Sequence, residues 1–214
     1  MSSQKVHSHM ELNSVFNEES LIVWRGEYNF PDDEIDSVKE NIISVTERTT
    51  PNGAVGELHS TFFINDVHQR PEFVLLGTYR EIISQIAIDL NFSASDFTLD
   101  FWCQIYDGSH EKHMHYNGMI HYSFVHFIRP TEKKCFHFSG WNGEKYYPKQ
   151  DKGDIIVFPS MAIHGIDESY GTERMTIAGN LAFTAVRTPG VQSWCRNKVV
   201  RDGLSVSEIL EYDE

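Results

Sequence analysis

The sequence predicts an α+β domain in which two helices come first and a sheet that closes into a sandwich or barrel follows. Apolar residues recur at helical spacing in the first half of the chain, alternate with a period of two from Phe97 onward, and lie in short, closely spaced segments. The 214 residues, 40% of them hydrophobic, suffice for one core. We expect a mobile segment at 1–20 and a single domain at 21–214, with helical support over 31–92 and a strand-rich core over 97–185.

Two helices are predicted before residue 92, after a short strand at Leu21–Trp24. Pro31 precedes Asp32, Asp33 and Glu34, and acidic residues suit the positive first turn of a helix. The apolar stripe of this first helix consists of Ile35, Val38, Ile42 and Val45. A second amphipathic pattern predicts a helix from about Pro71 to Leu90.

The strands begin where the apolar period changes. From Phe97 to Tyr106 apolar and polar residues alternate, which predicts a half-buried strand, and Asp107-Gly108 is a turn signal. Further strands are predicted at His121–Ile128, Lys134–Phe138, Asp154–Phe158 and Arg174–Phe183.

Charge and cysteine usage exclude several classes of protein. The formal net charge is −13, which disfavours non-specific binding to nucleic acid or to an anionic membrane. No apolar run reaches the roughly 20 residues that a membrane span needs. Three cysteines lie singly, without a CxxC pair, which argues for a reducing compartment and against a disulfide framework. We therefore expect a cytoplasmic protein.

Histidine is concentrated in one stretch of the chain. Five of the 11 histidines fall within 17 residues: His110, His113, His115, His121 and His126. In an extended segment residues i and i+2 project to the same face, so His113 and His115 can offer two nitrogens to one cation. His164, which follows a predicted buried strand and Pro159, is the candidate third ligand. Three imidazoles leave coordination positions open and suit Fe(II), Mn(II) or Zn(II).

A possible carboxylate-binding pair follows ten residues after His164. Alternation puts Arg174 and Thr176 on one face of a strand. The guanidinium fork can hold a carboxylate through two hydrogen bonds, and the threonine hydroxyl adds a donor. The alternative is an ordinary surface salt bridge between Arg174 and Glu173.

Together these motifs resemble the 2-oxoglutarate/Fe(II)-dependent oxygenases. The likeness covers about Phe101–Phe183 and is closest to a subgroup with a GxxHxxHxHxxG-like motif followed by a glycine-aspartate strand and an Arg-x-Thr strand. Its residues here are Gly108, His110, His113, His115, Ser123, Gly153, Asp154, Phe158, Pro159, Ser160, His164, Arg174, Thr176 and Asn180. The family fold is a double-stranded β-helix, or jelly roll, with N-terminal helices packed outside it.

The resemblance implies a role for each candidate residue. His113, His115 and His164 would be the metal ligands, and Arg174 with Thr176 would bind the distal carboxylate of 2-oxoglutarate. Fe(II), 2-oxoglutarate and O₂ would be required, and the substrate would be hydroxylated with release of succinate and CO₂. For the other contacts with the keto acid, strand parity would put His121 and Ser123 on the face of His113 and His115, unless the turn at 116–118 shifts the register by one. His126 stands where relatives often carry tyrosine.

One position departs from most of the superfamily. Most members carry an acidic residue where this chain has His115, although the subgroup resembled also has histidine there. Glu111 or His110 could complete the metal site instead.

Two other functions remain open on the sequence alone. A cupin-type metal-binding protein or enzyme that does not use 2-oxoglutarate shares the HxH and Gly-Pro-His patterns, but it does not require Arg174. A non-enzymatic jelly-roll module would hold no stoichiometric metal. We expect a small-molecule or peptide substrate, and the sequence does not indicate which one or the oligomeric state.

Overall fold

The fold consists of two antiparallel sheets packed face to face, with two α-helices covering the outside of the larger sheet. The computed structural model describes residues 21–46, 58–106, 110–113, 121–140, 143–167 and 173–183. The predicted mobile segment at 1–20 lies outside these residues. Within them, no helix is long and apolar enough to cross a membrane.

Helix α1 spans Asp32–Val45 and begins directly after Pro31, as predicted. It buries Ile35, Val38 and Ile42, the first three residues of the predicted apolar stripe. The fourth, Val45, is the last residue of the helix and is 56% exposed, so its assignment to the core was wrong.

Helix α2 spans Leu76–Asp89, and a 3₁₀ helix at Pro71–Leu75 leads into it. The predicted second helix is therefore present, but its first five residues wind more tightly than an α-helix. On the side that faces the larger sheet, α2 buries Tyr79, Ile83 and Ile86.

In the part of the chain that the structure describes, ten strands form the two sheets. In chain order they are β1 (Trp24–Glu27), β2 (Leu58–Ser60), β3 (Phe97–Tyr106), β4 (His110–His113), β5 (Tyr122–Arg129), β6 (Phe136–Ser139), β7 (Lys145–Tyr146), β8 (Asp154–Pro159), β9 (His164–Ile166) and β10 (Arg174–Phe183). The larger sheet has the order β1-β8-β5-β10-β3-β2, and the smaller one the order β4-β9-β6-β7. Every pairing in both sheets is antiparallel.

The long predicted strands are confirmed, and the short ones were missed or shifted. The strand expected at Leu21–Trp24 begins at Trp24 instead and pairs with β8. Strands β2, β7 and β9 have three residues or fewer, too few for an alternating pattern to appear in the sequence.

The central strands β5, β8 and β10 of the larger sheet are buried on both faces, whereas the polar residues of β3 are half-buried and alternate with buried ones, largely as predicted. On one face of β3, Phe97, Leu99 and Phe101 pack against the helices. On the other face Trp102 is only 4% exposed. The polar members of the alternating pattern thus face the space between the sheets, which we call the inner face.

A second hydrophobic cluster fills much of the space between the sheets. Phe127 of the larger sheet contacts Phe136 of the smaller one with ring centroids 5.9 Å apart, and Phe138 contacts Phe158 at 5.0 Å. The position of these residues identifies which side chains of each strand point inward.

Where β2 no longer pairs with β3, side chains instead of a neighbouring strand form hydrogen bonds with the β3 backbone. Beyond Ser60 the chain leaves the sheet, and the Cys103 N–H donates to Thr61 Oγ1 at 2.9 Å and to Glu72 Oε1 at 3.3 Å. The Phe101 carbonyl accepts a hydrogen bond from Arg70 Nη1 at 2.8 Å. These contacts satisfy backbone groups that an uncovered edge would expose.

Candidate active site

The inner face of the larger sheet carries its polar side chains in two rows with an apolar row between them. Directly opposite residues on neighbouring strands point to the same face, so the strand register defines each row. The first polar row is Asp100, Asn180 and Ser123; the apolar row is Trp102, Ala178 and Val125; the second polar row contains Gln104 and Thr176, beside Phe127.

Arg174 lies two residues before Thr176 on β10 and shares the inner face with it. The intervening residue, Met175, packs in the cluster between the sheet and the helices, so alternation directs Arg174 and Thr176 to the other side. Arg174 is 1% exposed and Thr176 is 2% exposed. The two residues predicted to hold a carboxylate are therefore on one buried face.

The alternative of a surface salt bridge between Arg174 and Glu173 is wrong. Glu173 forms its ion pair with Lys39 of α1, and the Glu173 side chain is 44% exposed. Burial of a guanidinium is costly unless an anion or other acceptors compensate its charge. The inner face thus places a cation where a bound carboxylate would be shielded from water.

His164 lies at the start of β9, in the smaller sheet, with its ring turned toward the inner cluster. The ring is 5.0 Å from that of Phe158 and 5.7 Å from that of Phe136. His164 Nδ1 lies 2.8 Å from the Ala162 carbonyl oxygen, and because a carbonyl can only accept, Nδ1 carries the hydrogen. In the neutral ring Nε2 then bears the lone pair. A histidine that ligates a metal commonly has its second nitrogen fixed in this way.

The backbone brings a second predicted ligand next to His164. His113, the last residue of β4, is directly opposite His164 in the register of the smaller sheet. The pairing is irregular between His110, which is opposite Ile166, and His113. The side chains of His110, Glu111 and His113 and the whole of His115 lie outside the described residues. Among the side chains that the structure does describe, no three His, Cys, Asp or Glu residues form a metal-binding group.

Ser123 lies on the inner face, but in the row away from Arg174 and Thr176. Its hydroxyl donates to Asn180 Oδ1 at 3.1 Å, and both residues are buried. From the sequence, Asn180 is only the last residue of the motif that resembles the oxygenase family, and no role is predicted for it. Gln104 was missed altogether, because only the register between β3 and β10 reveals that it stands opposite Thr176.

His126 is not brought together with the other predicted residues. It points to the helix side of the larger sheet, where Tyr79 and the Tyr28 carbonyl occupy its two ring nitrogens. Burial lowers the pKa of His126 to about 4. This arrangement makes His126 a neutral core residue, and we give it no role toward a keto acid.

The solved structures that share this fold at TM-scores of 0.50 or more include AviO1 and a prolyl hydroxylase. AviO1 from Streptomyces viridochromogenes Tue57 is similar at a TM-score of 0.53 and 12% identity, over 79% of this chain and 90% of that one. A prolyl hydroxylase from Trichoplax adhaerens, in complex with a hypoxia inducible factor oxygen degradation domain peptide fragment, is similar at a TM-score of 0.50 and 9% identity. That alignment covers 79% of this chain and 87% of the hydroxylase chain.

A third structure is an oxidoreductase of the 2OG-Fe(II) oxygenase family from Burkholderia pseudomallei. It is similar at a TM-score of 0.45 and 14% identity, and the alignment spans 55% of this chain and 59% of that one. No family model matches the chain, and no curated protein matches it. At such low identities the likeness concerns the fold alone, and the first two structures carry it.

The inner space combines a buried cation, a hydroxyl and an imidazole, contributed by two different sheets. One sheet supplies a buried cation with a neighbouring hydroxyl, and the other supplies an imidazole whose tautomer is fixed. An apolar row lies between the two polar rows of the inner face. The order of polar and apolar rows suits a molecule that is charged at one end and apolar in its middle.

Proposed function

We propose that the chain is an Fe(II)- and 2-oxoglutarate-dependent dioxygenase that hydroxylates a small-molecule or peptide substrate. The observation that carries the proposal is the burial of Arg174 beside Thr176, on the face that the ring of His164 also approaches. In this proposal the two sheets form a double-stranded β-helix. Bound iron and 2-oxoglutarate, with O₂, supply an oxidative decarboxylation that yields succinate and CO₂ and hydroxylates a C–H bond.

Arg174 and Thr176 would hold the distal carboxylate of the keto acid. The guanidinium offers parallel N–H donors and the threonine hydroxyl a third donor, all in an environment where charge-assisted hydrogen bonds are strong. The methylene groups would lie along Ala178 and Val125, which are the next inward residues after Thr176 and Phe127. The alternation of polar and apolar rows thus matches a five-carbon dicarboxylic acid.

His164 would bind the metal through Nε2, with His113 and His115 as the other ligands. The hydrogen bond from Nδ1 to the Ala162 carbonyl would fix the ring orientation and place the Nε2 lone pair on the side of the metal. Because all three ligands are neutral, the site would keep the full charge of the cation and would favour an anionic keto acid. The packed aromatic rings around His164 would exclude water from that side of the site.

Binding of 2-oxoglutarate tests the proposal directly. We would load the protein with Mn(II) in place of iron and measure 2-oxoglutarate affinity by calorimetry, then assay succinate formation with Fe(II). Arg174→Lys keeps the positive charge but loses the two parallel N–H donors of the guanidinium. The affinity for 2-oxoglutarate should therefore fall by about tenfold or more. The matched control is Arg129→Lys, at a partly exposed arginine paired with Asp36 on the helix side.

The outcomes separate the proposal from the alternatives. If the wild-type protein binds metal but not 2-oxoglutarate, a cupin-type function replaces the proposal. If Arg174→Lys binds the keto acid as tightly as the wild type does, Arg174 is not its anchor.

A further inference from the structure

The amide of Asn180 has a fixed orientation on the inner face. Its Oδ1 accepts the hydroxyl hydrogen of Ser123 at 3.1 Å, and Ser123 is directly opposite it on β5. The two N–H groups of Nδ2 therefore remain as donors. Within the described part of the chain, no residue accepts a hydrogen bond from them. Asn180 is 9% exposed, so these donors lie where few waters can compete for them.

The surroundings of Asn180 favour an uncharged acceptor. Asp100 is directly opposite Asn180 on β3, and its carboxylate is paired with Arg70 at 3.1 Å. The Arg70 guanidinium is already engaged with Asp100, the Phe101 carbonyl and the Ile64 carbonyl. The charge of Asp100 would repel an incoming anion, whereas it would not repel an uncharged carbonyl oxygen.

Asn180 lies too far along β10 to share a ligand with Thr176. Asn180 is four positions after Thr176, and at a rise of about 3.3 Å per residue the two lie about 13 Å apart along the strand. The carbon chain of 2-oxoglutarate has four carbon–carbon bonds of about 1.5 Å and extends about 6 Å at most. A keto acid held by Arg174 and Thr176 would end beside Ala178, before it reached Asn180.

The strand register nevertheless places Asn180 at the end of the interior where His164 lies. Ser123, its partner, is directly opposite Phe158 on β8, and the Phe158 ring is 5.0 Å from the His164 ring. Asn180 is therefore on the His164 side of the interior, beyond the space that the keto acid would fill. This is where the molecule to be oxidised would have to lie.

We propose that the Asn180 amide binds a neutral carbonyl oxygen of the primary substrate, and that Ser123 acts as a positioning residue that aims this amide. The inference rests on the proposed function, since it assigns a substrate contact within the same site. It restricts the substrate class to molecules that carry an amide or other uncharged carbonyl group near the C–H bond that reacts. It also gives Ser123 a role different from the keto acid contact expected from its sequence position.

The side-chain amide resonances of Asn180 provide a test that does not require turnover. With ¹⁵N-labelled full-length protein, we would identify these resonances by their loss in Asn180→Asp and titrate N-methylacetamide as the carbonyl probe. We expect a saturable shift of the Asn180 resonances, with affinity reduced by about tenfold in Ser123→Ala. Acetate should produce no saturable shift. The matched control is Asn29→Asp, at an exposed asparagine whose Nδ2 donates to Glu27.

The absence of a saturable shift with N-methylacetamide, or an equal response to acetate, would overturn the proposal. A second measurement distinguishes a substrate contact from a keto acid contact. In the Mn(II)-loaded protein, Asn180→Ala, which adds no charge, should leave 2-oxoglutarate affinity within about twofold of the wild type. A loss as large as that of Arg174→Lys would assign Asn180 to the keto acid instead. If the wild type binds no 2-oxoglutarate, the proposed function fails, while the carbonyl titration still reports on Asn180.

Discussion

Tyr79 and His126 are joined by a hydrogen bond of 2.7 Å between the tyrosine hydroxyl and Nδ1 of the imidazole, in the core between α2 and the larger sheet. Both side chains are fully buried. His126 Nε2 lies 2.8 Å from the Tyr28 carbonyl oxygen, which can only accept, so Nε2 carries the hydrogen and Nδ1 receives the Tyr79 O–H. The imidazole therefore connects α2, β5 and the segment after β1 as a neutral group.

Tyr79→Phe should lower the free energy of unfolding by about 1–3 kcal/mol, because it leaves a buried nitrogen without its donor. Urea denaturation followed by circular dichroism measures this change. Tyr28→Phe is the matched control, since Tyr28 binds His126 through its backbone carbonyl, which the substitution keeps, and its effect should stay within about 0.5 kcal/mol. Equal effects of the two substitutions would contradict the assigned hydrogen bond.

The stability of the protein should depend on pH through His126. Burial lowers the pKa of His126 to about 4 in the folded state, whereas a histidine in the unfolded chain titrates near 6.5. Below about pH 6.5 the unfolded state therefore binds the proton first. The stabilising contribution of neutral His126 is complete above that pH and is lost as the pH falls toward 4, by about 3 kcal/mol in total.

Denaturation series between pH 7 and pH 4 measure this loss. The same series is measured for His126→Gln, whose side chain at position 126 cannot titrate. The contributions of the carboxylates to the pH dependence are common to both proteins and therefore cancel in the difference. We expect the wild type to lose more stability than the variant over this range. Parallel pH profiles for the two proteins would show that His126 titrates normally in the folded state.

The sequence predicted the parts of this fold that have a long periodic pattern. Helix α1 and strands β3 and β10 appear where their apolar residues repeat over ten or more positions. The face of each strand could not be assigned in the same way. Both faces of the central strands are buried, so the pattern of β5 did not reveal that Ser123 faces the smaller sheet while His126 faces the helices.

The candidate site shows the same limit. Arg174 and Thr176 could be paired from the sequence because they are two residues apart on one strand. Asn180, Ser123 and Asp100 are brought together only by the register of three strands that are distant in the chain. No local signal in the sequence encodes that register, because it depends on how the sheet as a whole assembles.

Arg70 should contribute strongly to stability through the edge of β3. Its side chain is 2% exposed, and it binds Asp100, the Phe101 carbonyl and the Ile64 carbonyl. Arg70→Met removes the guanidinium that is paired with the largely buried Asp100 carboxylate. The substitution should lower the free energy of unfolding by about 3–5 kcal/mol. The double variant with Asp100→Asn should lose less than the sum of the single variants.

The control for Arg70 is Arg129→Met, at an ion pair with Asp36 in which the side chains are 29% and 58% exposed. An exposed pair of this kind contributes about 1 kcal/mol or less. Urea denaturation of all four variants tests the difference. Additive losses in the Arg70 and Asp100 variants would mean that the two residues stabilise the protein independently.

Loss of the His164 imidazole should weaken metal binding without unfolding the chain. The Ala162 carbonyl fixes the tautomer of His164, so that Nε2 bears the lone pair that would bind the metal in the proposed site. Removing a preoriented ligand should reduce metal affinity by at least the roughly 10–100-fold typical of losing its supporting hydrogen bond. Titration with Co(II), followed by its visible absorption, measures the affinity in wild type and His164→Asn. His68→Asn, at an exposed histidine on a 3₁₀ helix, is the control and should bind as the wild type does. Unchanged Co(II) affinity in His164→Asn, with normal folding by circular dichroism, would remove His164 from the metal site.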